Sequence, residues 1–142
     1  MALRWVPHGS PDYQALVALR RRVLRLPLGL DFTPGQLAGE AADLHLGAWE
    51  EDRLQGCLLL TDRGGGVVQM RQVCVEPELQ RSGVGMALVR ESEAEARRRG
   101  FRQMILHARD TAVGFYLRLG YAAVGGPFVE VSIPHQEMTK DL

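Results

Sequence analysis

The sequence predicts a mixed α/β (α+β) fold: a mostly antiparallel sheet with helices on both faces, in one domain over residues 1–142. Three observations predict it. Short β-rich runs are separated by the turn residues Glu50-Glu-Asp-Arg53 and Asp62-Arg-Gly-Gly-Gly66, which suit hairpins between neighbouring strands. The first third of the chain instead carries an apolar stripe of roughly 3.6-residue period. One β run, Gln72–Val75, breaks at a Pro-containing turn and feeds a Gly-rich loop that opens a helix, the mark of a single parallel crossover. A length of 142 residues with 46% hydrophobic content is enough for one sizeable core.

Leu3–Val6 reads as a short first strand, closed by Pro7 and Gly9. Asp12 can cap a helix through about Arg25, with Tyr13, Leu16, Val17, Val23 and Leu24 on one face. Arg20-Arg21-Arg22 forms a basic ridge on its surface. Pro27 stops this helix, and Leu26–Pro34 is a loop with too many apolar residues to be merely solvated. A second helix fits 34–42, and strands follow at Leu44–Trp49, Leu54–Thr61 and Val67–Val75. The helix opened by Gly85 runs to Gly100, then a strand covers Gln103–His107. A last helix, which Asp110 or Thr111 can cap, ends at Gly120, and strands near Tyr121–Val124 and Val129–Met138 close the chain. The tail strand places Val129, Val131 and Ile133 on one face, an edge that a homodimer partner could cover.

The loop Gln80-Arg-Ser-Gly-Val-Gly-Met86 carries the first chemical signal. Its backbone N–H groups fall at a helix N-terminus, where the macrodipole and unpaired donors favour a diphosphate. A side chain at Gly83 or Gly85 would hold a phosphate away from the backbone, and Arg81 adds a planar charged donor. The loop lacks the Gly-Lys-Ser/Thr ending of a P-loop and the third Gly of a dinucleotide fingerprint.

Gln80-Arg-Ser-Gly-Val-Gly-Met-Ala87 resembles the Gln/Arg-x-x-Gly-x-Gly/Ala signature of the GNAT superfamily of N-acetyltransferases. Thr111-Ala-Val-Gly-Phe-Tyr-Leu-Arg-Leu-Gly-Tyr121 resembles a second pattern of the same superfamily, Ala-x-x-Phe-Tyr-x-x-Leu-Gly-Phe/Tyr. Phe128–Met138 is similar to the Glu-x-x-Ile-Pro-His-x-x-Met ending of a small bacterial branch, and Arg20-Arg-Arg-Val-Leu24 to its Arg-x-x-Val-Phe segment. Two departures stand out. Ala108-Arg109-Asp110 occupies the place where relatives often carry a cofactor-contacting Asn, and the first-helix segment continues as Leu-Arg-Leu-Pro-Leu-Gly-Leu rather than with the branch's Glu-Gln-Gly.

The resemblance implies a GNAT-like sheet and an N-acetyltransferase that moves acetyl from acetyl-CoA to a primary amine in a ternary complex, with no metal. It implies that Gln80, Arg81, Ser82, Gly83, Val84, Gly85 and Met86 hold the diphosphate of acetyl-CoA. The strand segment Val73, Cys74 and Val75 would hold the pantetheine, with backbone N–H groups polarising the thioester carbonyl. Tyr116, rotated off the Phe115–Leu119 face of its helix, is the candidate acid for the leaving thiolate and also contacts the cofactor. A phenol near pKa 10 lies modestly above a thiol near 8.5. His135 and Glu130 are candidate bases, alongside an ordered water chain. Cys74 sits mid-strand without a neighbouring His, which argues against an acyl-enzyme. The alternative is a non-catalytic acyl-CoA-binding domain, with a pure interaction module behind it.

The rest of the sequence excludes classes of partner. Basic and acidic residues balance at 17 each, so no global field favours nucleic acid or a membrane surface. No apolar run approaches membrane-spanning length and no signal-peptide core is present. Cys57 and Cys74 match no metal spacing and read as buried reduced thiols, pointing to a cytoplasmic protein. His45 and His107 read as structural, and His8 has no evident partner. The acceptor pocket falls to the Leu26–Pro34 loop, the second helix and the tail. Their apolar character with scattered acids favours a small amine over a polyanion, so the expected acceptor is a small-molecule amine or a peptide, with an aminoglycoside and a protein N-terminus both still open.

Overall fold

The structure, a computed structural model, describes all residues 1–142. Strands β1 (Ala2–Val6), β2 (Leu44–Glu50), β3 (Arg53–Gly64), β4 (Val67–Val75), β5 (Gln103–Arg109), β6 (Ala122–Glu130) and β7 (Ile133–Asp141) form one seven-stranded sheet in the order β1-β2-β3-β4-β5-β7-β6. Every neighbouring pair is antiparallel except β4 and β5, which the crossover helix α3 (Val84–Arg98) joins. The predicted mixed fold is therefore the observed one.

Helices cover both faces. Helix α1 (Pro11–Arg20) packs Tyr13, Leu16, Val17 and Leu19 against Cys57, Cys74 and Trp49 on one face. On the other, α3 and α4 (Val113–Arg118) bury Val84, Leu88, Val89 and Tyr116 among Leu46, Leu58, Leu60, Met70, Met104 and Leu106. Alternation along β3 sends Cys57 to the first face and Leu58 to the second. No helix is long and apolar enough to cross a membrane.

Several predicted boundaries move, each for a local reason. Ser10 rather than Asp12 caps α1, its hydroxyl accepting from the Tyr13 N–H with Pro11 in the first turn. Past Arg20 the helix widens into a π-helical turn over Arg21–Arg25, then a 3-10 turn over Leu26–Leu28 that ends at Gly29 with φ +72°. Helix α2 stops at Ala38 instead of Ala42 (Pro34–Ala38), after a capping box between Thr33 and Gln36. Neither Asp110 nor Thr111 caps α4, because a 3-10 turn over Asp110–Ala112 intervenes.

The basic ridge does not exist. Arg20 is 2% exposed and donates twice to Glu40, at 2.9 and 2.6 Å. Arg21 reaches Asp31, and Arg22 pairs with Glu76 at the end of β4. Consecutive helical residues diverge by about 100°, so three adjacent arginines tie this segment to the turn after α2, to the loop that carries Asp31 and to the end of β4.

The tail is also redrawn. The predicted strand Val129–Met138 is two strands, because Val131 and Ser132, with φ +46° and +63°, make a two-residue hairpin turn between β6 and β7. The expected break near Gly125-Gly-Pro127 is instead a bulge within β6, where pairing shifts between Val124 and Phe128. Val129 and Ile133 thus lie on different strands, and the single apolar face that suggested a dimer edge is absent. β7 is interior, and the edge on this side of the sheet is β6, blunted by its bulge and Pro127.

Candidate functional site

The site is built where the sheet splits. β4 and β5 pair only from Val67↔Gln103 to Met70↔Leu106. Beyond Leu106, β5 continues to Arg109 against β7 alone, while Arg71–Val75 keep only β3 as a neighbour. The split coincides with a bulge. Leu59 faces Arg71 but Cys57 faces Cys74, so Gln72 and Val73 share one partner position, and Gln72 takes φ +54°. The Glu76 N–H donates to the Gln55 carbonyl at 2.9 Å, which fixes the side facing β3. By alternation Cys74 shares that side, and the N–H groups of Val73 and Val75 face the opening.

At the end of β4 the chain turns through a 3-10 segment over Pro77–Leu79 to α3. Arg81 takes φ +68°, and Gly83, at φ +96°, is the N-cap. No side chain caps α3, whereas Ser10 and Thr33 cap α1 and α2. Its first-turn N–H groups are left without an intrahelical acceptor, beside the positive end of the macrodipole. A Cβ at Gly83 would meet no atom within 4 Å, so the space in front of these donors is open. Arg81 is exposed with no acid partner, and Met86 is 48% exposed. Gln80 is exposed, and the Ser82 hydroxyl donates back to the Leu79 carbonyl.

Three elements meet at Gly85. A Cβ there would lie 3.5 Å from Cζ of Phe115 and 3.7 Å from Cγ2 of Val75. The start of α3, the end of β4 and α4 therefore converge, and Gly85 is the residue that lets them. Tyr116 follows Phe115, their rings edge to face at 5.0 Å, and packs against Tyr121 at 5.7 Å. It is 6% exposed, and its hydroxyl makes no hydrogen bond within the protein. Burial alone pushes this phenol well above its ordinary value. Tyr121, by contrast, is tied down: its hydroxyl donates to Glu93 at 2.8 Å, and Lys140, the only lysine, holds the same buried carboxylate at 3.1 Å.

The structure does not join the two candidate bases to Tyr116. The Glu130 carboxylate, on β6, lies 2.9 Å from Nδ1 of His107 on β5, an exposed contact that reaches across β7. His135 is 7% exposed, faces the Ile133 carbonyl with Nδ1 at 2.7 Å, and stacks on Phe128 at 5.9 Å. His135 sits one strand behind β5 and Glu130 two. His45 is buried against the Glu40 carbonyl at 3.0 Å, and His8 has a partner after all, the Leu37 carbonyl at 2.9 Å. Cys57 and Cys74 are buried free thiols on opposed positions of β3 and β4.

Beside the bulge lies a cavity of about 210 Å³, bounded in part by the loop and the second helix to which the sequence assigned the acceptor pocket, and not by the tail. Arg25, Phe32, Gln36, Glu40, Arg71 and Gln72 line it, with backbone from Gly35 and Gly39. The expected apolar pocket is absent: Leu26, Leu28 and Leu30 are exposed at 54%, 37% and 39% and do not line it. Within it the Glu40 carboxylate accepts from Arg20 and from Tyr13, whose hydroxyl lies at 2.8 Å. Burial pushes Glu40 upward, but the Arg20 pair and the Tyr13 hydroxyl outweigh it and hold the carboxyl below its usual value.

Residues 34–142 match the acetyltransferase (GNAT) domain family. The chain belongs to that family. The uncharacterized protein YyaT of Bacillus subtilis is 31% identical over 78 residues, 55% of this chain and 53% of that protein. The chain thus spans about half the length of the curated relatives it matches. An acyl-CoA N-acyltransferase from Pseudomonas aeruginosa has the same fold at a TM-score of 0.81 and 25% identity, covering 98% of this chain and 99% of its own. An aminoglycoside 6′-N-acetyltransferase complexed with coenzyme A shares the fold at a TM-score of 0.82 and 17% identity, over 99% of this chain and 97% of its own. These matches place a GNAT acetyltransferase scaffold around the split sheet.

Proposed function

We propose that this GNAT protein transfers acetyl from acetyl-CoA to the primary amine of an acceptor by direct attack in a ternary complex. The observation that carries this reading is the uncapped N-terminus of α3, opening beside the unpaired edge of β4. The N–H groups of Gly83 to Met86 and the Arg81 guanidinium bind the diphosphate. Val73 and Val75 offer N–H groups along the edge for the pantetheine and the thioester carbonyl, whose oxygen gains negative charge during attack. Fold neighbours that include a CoA complex support the donor.

The thioester supplies the activated acyl group, so the protein needs no nucleophile of its own. Holding amine and donor in one cleft makes the attack effectively unimolecular. As the amine nitrogen bonds to the carbonyl carbon and the C–S bond breaks, Tyr116 gives its proton to the departing sulfur. Burial raises the phenol above its ordinary value, so this transfer is uphill by more than the gap between a free phenol and a free thiol. The proton lost by the ammonium passes through solvent in the open cleft and returns to the tyrosinate. Glu130 is committed to His107 and His135 to its own strand, which favours water over either as the first acceptor. Release of free thiol from acetyl-CoA, dependent on an amine, tests the reading. Tight CoA binding with no thiol release across a broad amine panel would make the protein a cofactor-binding domain instead.

A further inference from the structure

Four arginines occupy the end of α1 and its π-helical turn, and three are matched to acids: Arg20 to Glu40, Arg21 to Asp31 and Arg22 to Glu76. Arg25, the fourth, has no carboxylate partner. It is half-buried, and its guanidinium lies over the Phe32 ring at 4.7 Å, which fixes the plane of its donors at the cavity. Across the same cavity, Arg71 donates to the Thr61 hydroxyl at 3.1 Å and stands 3.8 Å from Asp43, leaving N–H groups unused. The only carboxylate of the lining, Glu40, is already spent on Arg20 and Tyr13. Arg20, Arg25 and Arg71 therefore outnumber the carboxylates that face them, Glu40 and Asp43. Burial, then the charges of Arg20, Arg71 and Arg109, draw the Arg25 pKa down, the response of a cation missing its counter-ion. Gln72 lines the cavity and precedes Val73, whose N–H faces the thioester position, so an acceptor seated there presents its amine to the donor.

We propose that the acceptor is a small amine carrying an anionic group, a carboxylate or a phosphate, held by Arg25 and Arg71. This rests on the acetyl-transfer reading above and reverses the sequence expectation of an apolar pocket. The cavity's 210 Å³ lies below the roughly 300 Å³ at which drug-sized sites begin, which favours a compact acceptor.

The test uses matched pairs differing only in the anion: β-alanine with β-alaninamide, and phosphoethanolamine with ethanolamine. Each is titrated by ligand-observed NMR into CoA-saturated wild-type, Arg25→Gln and Arg25→Lys protein. A charge-assisted contact predicts roughly tenfold or greater preference for the anionic member of at least one pair. That preference should collapse toward one in Arg25→Gln and survive in part in Arg25→Lys. Equal affinities within both pairs, or an undiminished preference in Arg25→Gln, overturn the proposal. Free-thiol release with the same amines separates the two readings. Turnover without anion preference overturns this inference and leaves acetyl transfer standing. Anion preference without turnover, extended to a broad amine panel that also releases no thiol, supports the anion site and overturns acetyl transfer.

Discussion

At the scale of single residues, the site rests on one unpartnered phenol and one over-partnered carboxylate. Tyr116 is buried, bonded to nothing in the protein and adjacent to the residue that touches Gly85. Tyr116→Phe keeps the ring and its packing, so the fold should survive. Loss of one acid–base group should lower kcat by roughly a hundred- to ten-thousandfold, with KM for acetyl-CoA little changed because the phenol acts in the transition state. Equal kcat in steady-state assays would return Tyr116 to the core. Glu40 is the opposite case, holding Arg20 and Tyr13 together. Its folded pKa lies below its unfolded one, so its contribution is complete above about pH 4.5 and is lost as pH falls through the folded value. Glu40→Gln should cost about 3 kcal/mol or more at pH 7, because Arg20 is left buried without its counter-charge. Melting curves from pH 7 to 3 should show the wild type losing its advantage over this variant in acid. A constant difference would mean that the pair does not titrate with folding.

Elements tell more about what a sequence conveys. The strand, Gly-rich loop and helix around Gly83 were legible because each glycine solves a steric problem that its neighbours announce. Gly83→Val should weaken CoA binding roughly tenfold or more. The added Cβ meets no protein atom, so the damage falls on the ligand's space, with a modest stability cost from the positive φ. Calorimetry showing wild-type affinity would remove the loop from the site. Gly85→Val is a poorer probe, since its branches press on Phe115 and Val75. The closing hairpin was misread for an equally physical reason. Gly125-Gly-Pro127 looks like the turn and Val131-Ser132 like strand, yet the tighter constraint, pairing β7 against β5, puts the reversal at the residues least suited to it. Val131→Asn with Ser132→Gly should therefore stabilise by about 1 kcal/mol, as positive φ costs most residues that much, raising Tm by about 3 °C. No rise in Tm would mean that Val131 repays its strain by packing.

For the whole molecule, what could not be read was long-range. The ion pairs Arg20–Glu40 and Arg22–Glu76 span 20 and 54 residues, and nothing local marks the partners. The bulge at Gln72 carries no Gly or Pro, although it ends the β4–β5 pairing and opens the cleft. The cavity follows from these three features together, so the sequence pointed to two of its walls, the Leu26–Pro34 loop and the second helix, but not to its arginine-lined character, while the donor side was visible in a single loop. The fold's central act is to bring two rows of unpaired backbone donors into one opening, at the start of α3 and along the edge of β4. Titrating ¹⁵N-labelled protein with acetyl-CoA reads those donors directly. The account predicts that the amides of Gly83, Val84, Gly85 and Met86 shift together with those of Val73 and Val75, at one common affinity. Saturable binding that leaves these six amides unmoved would contradict it.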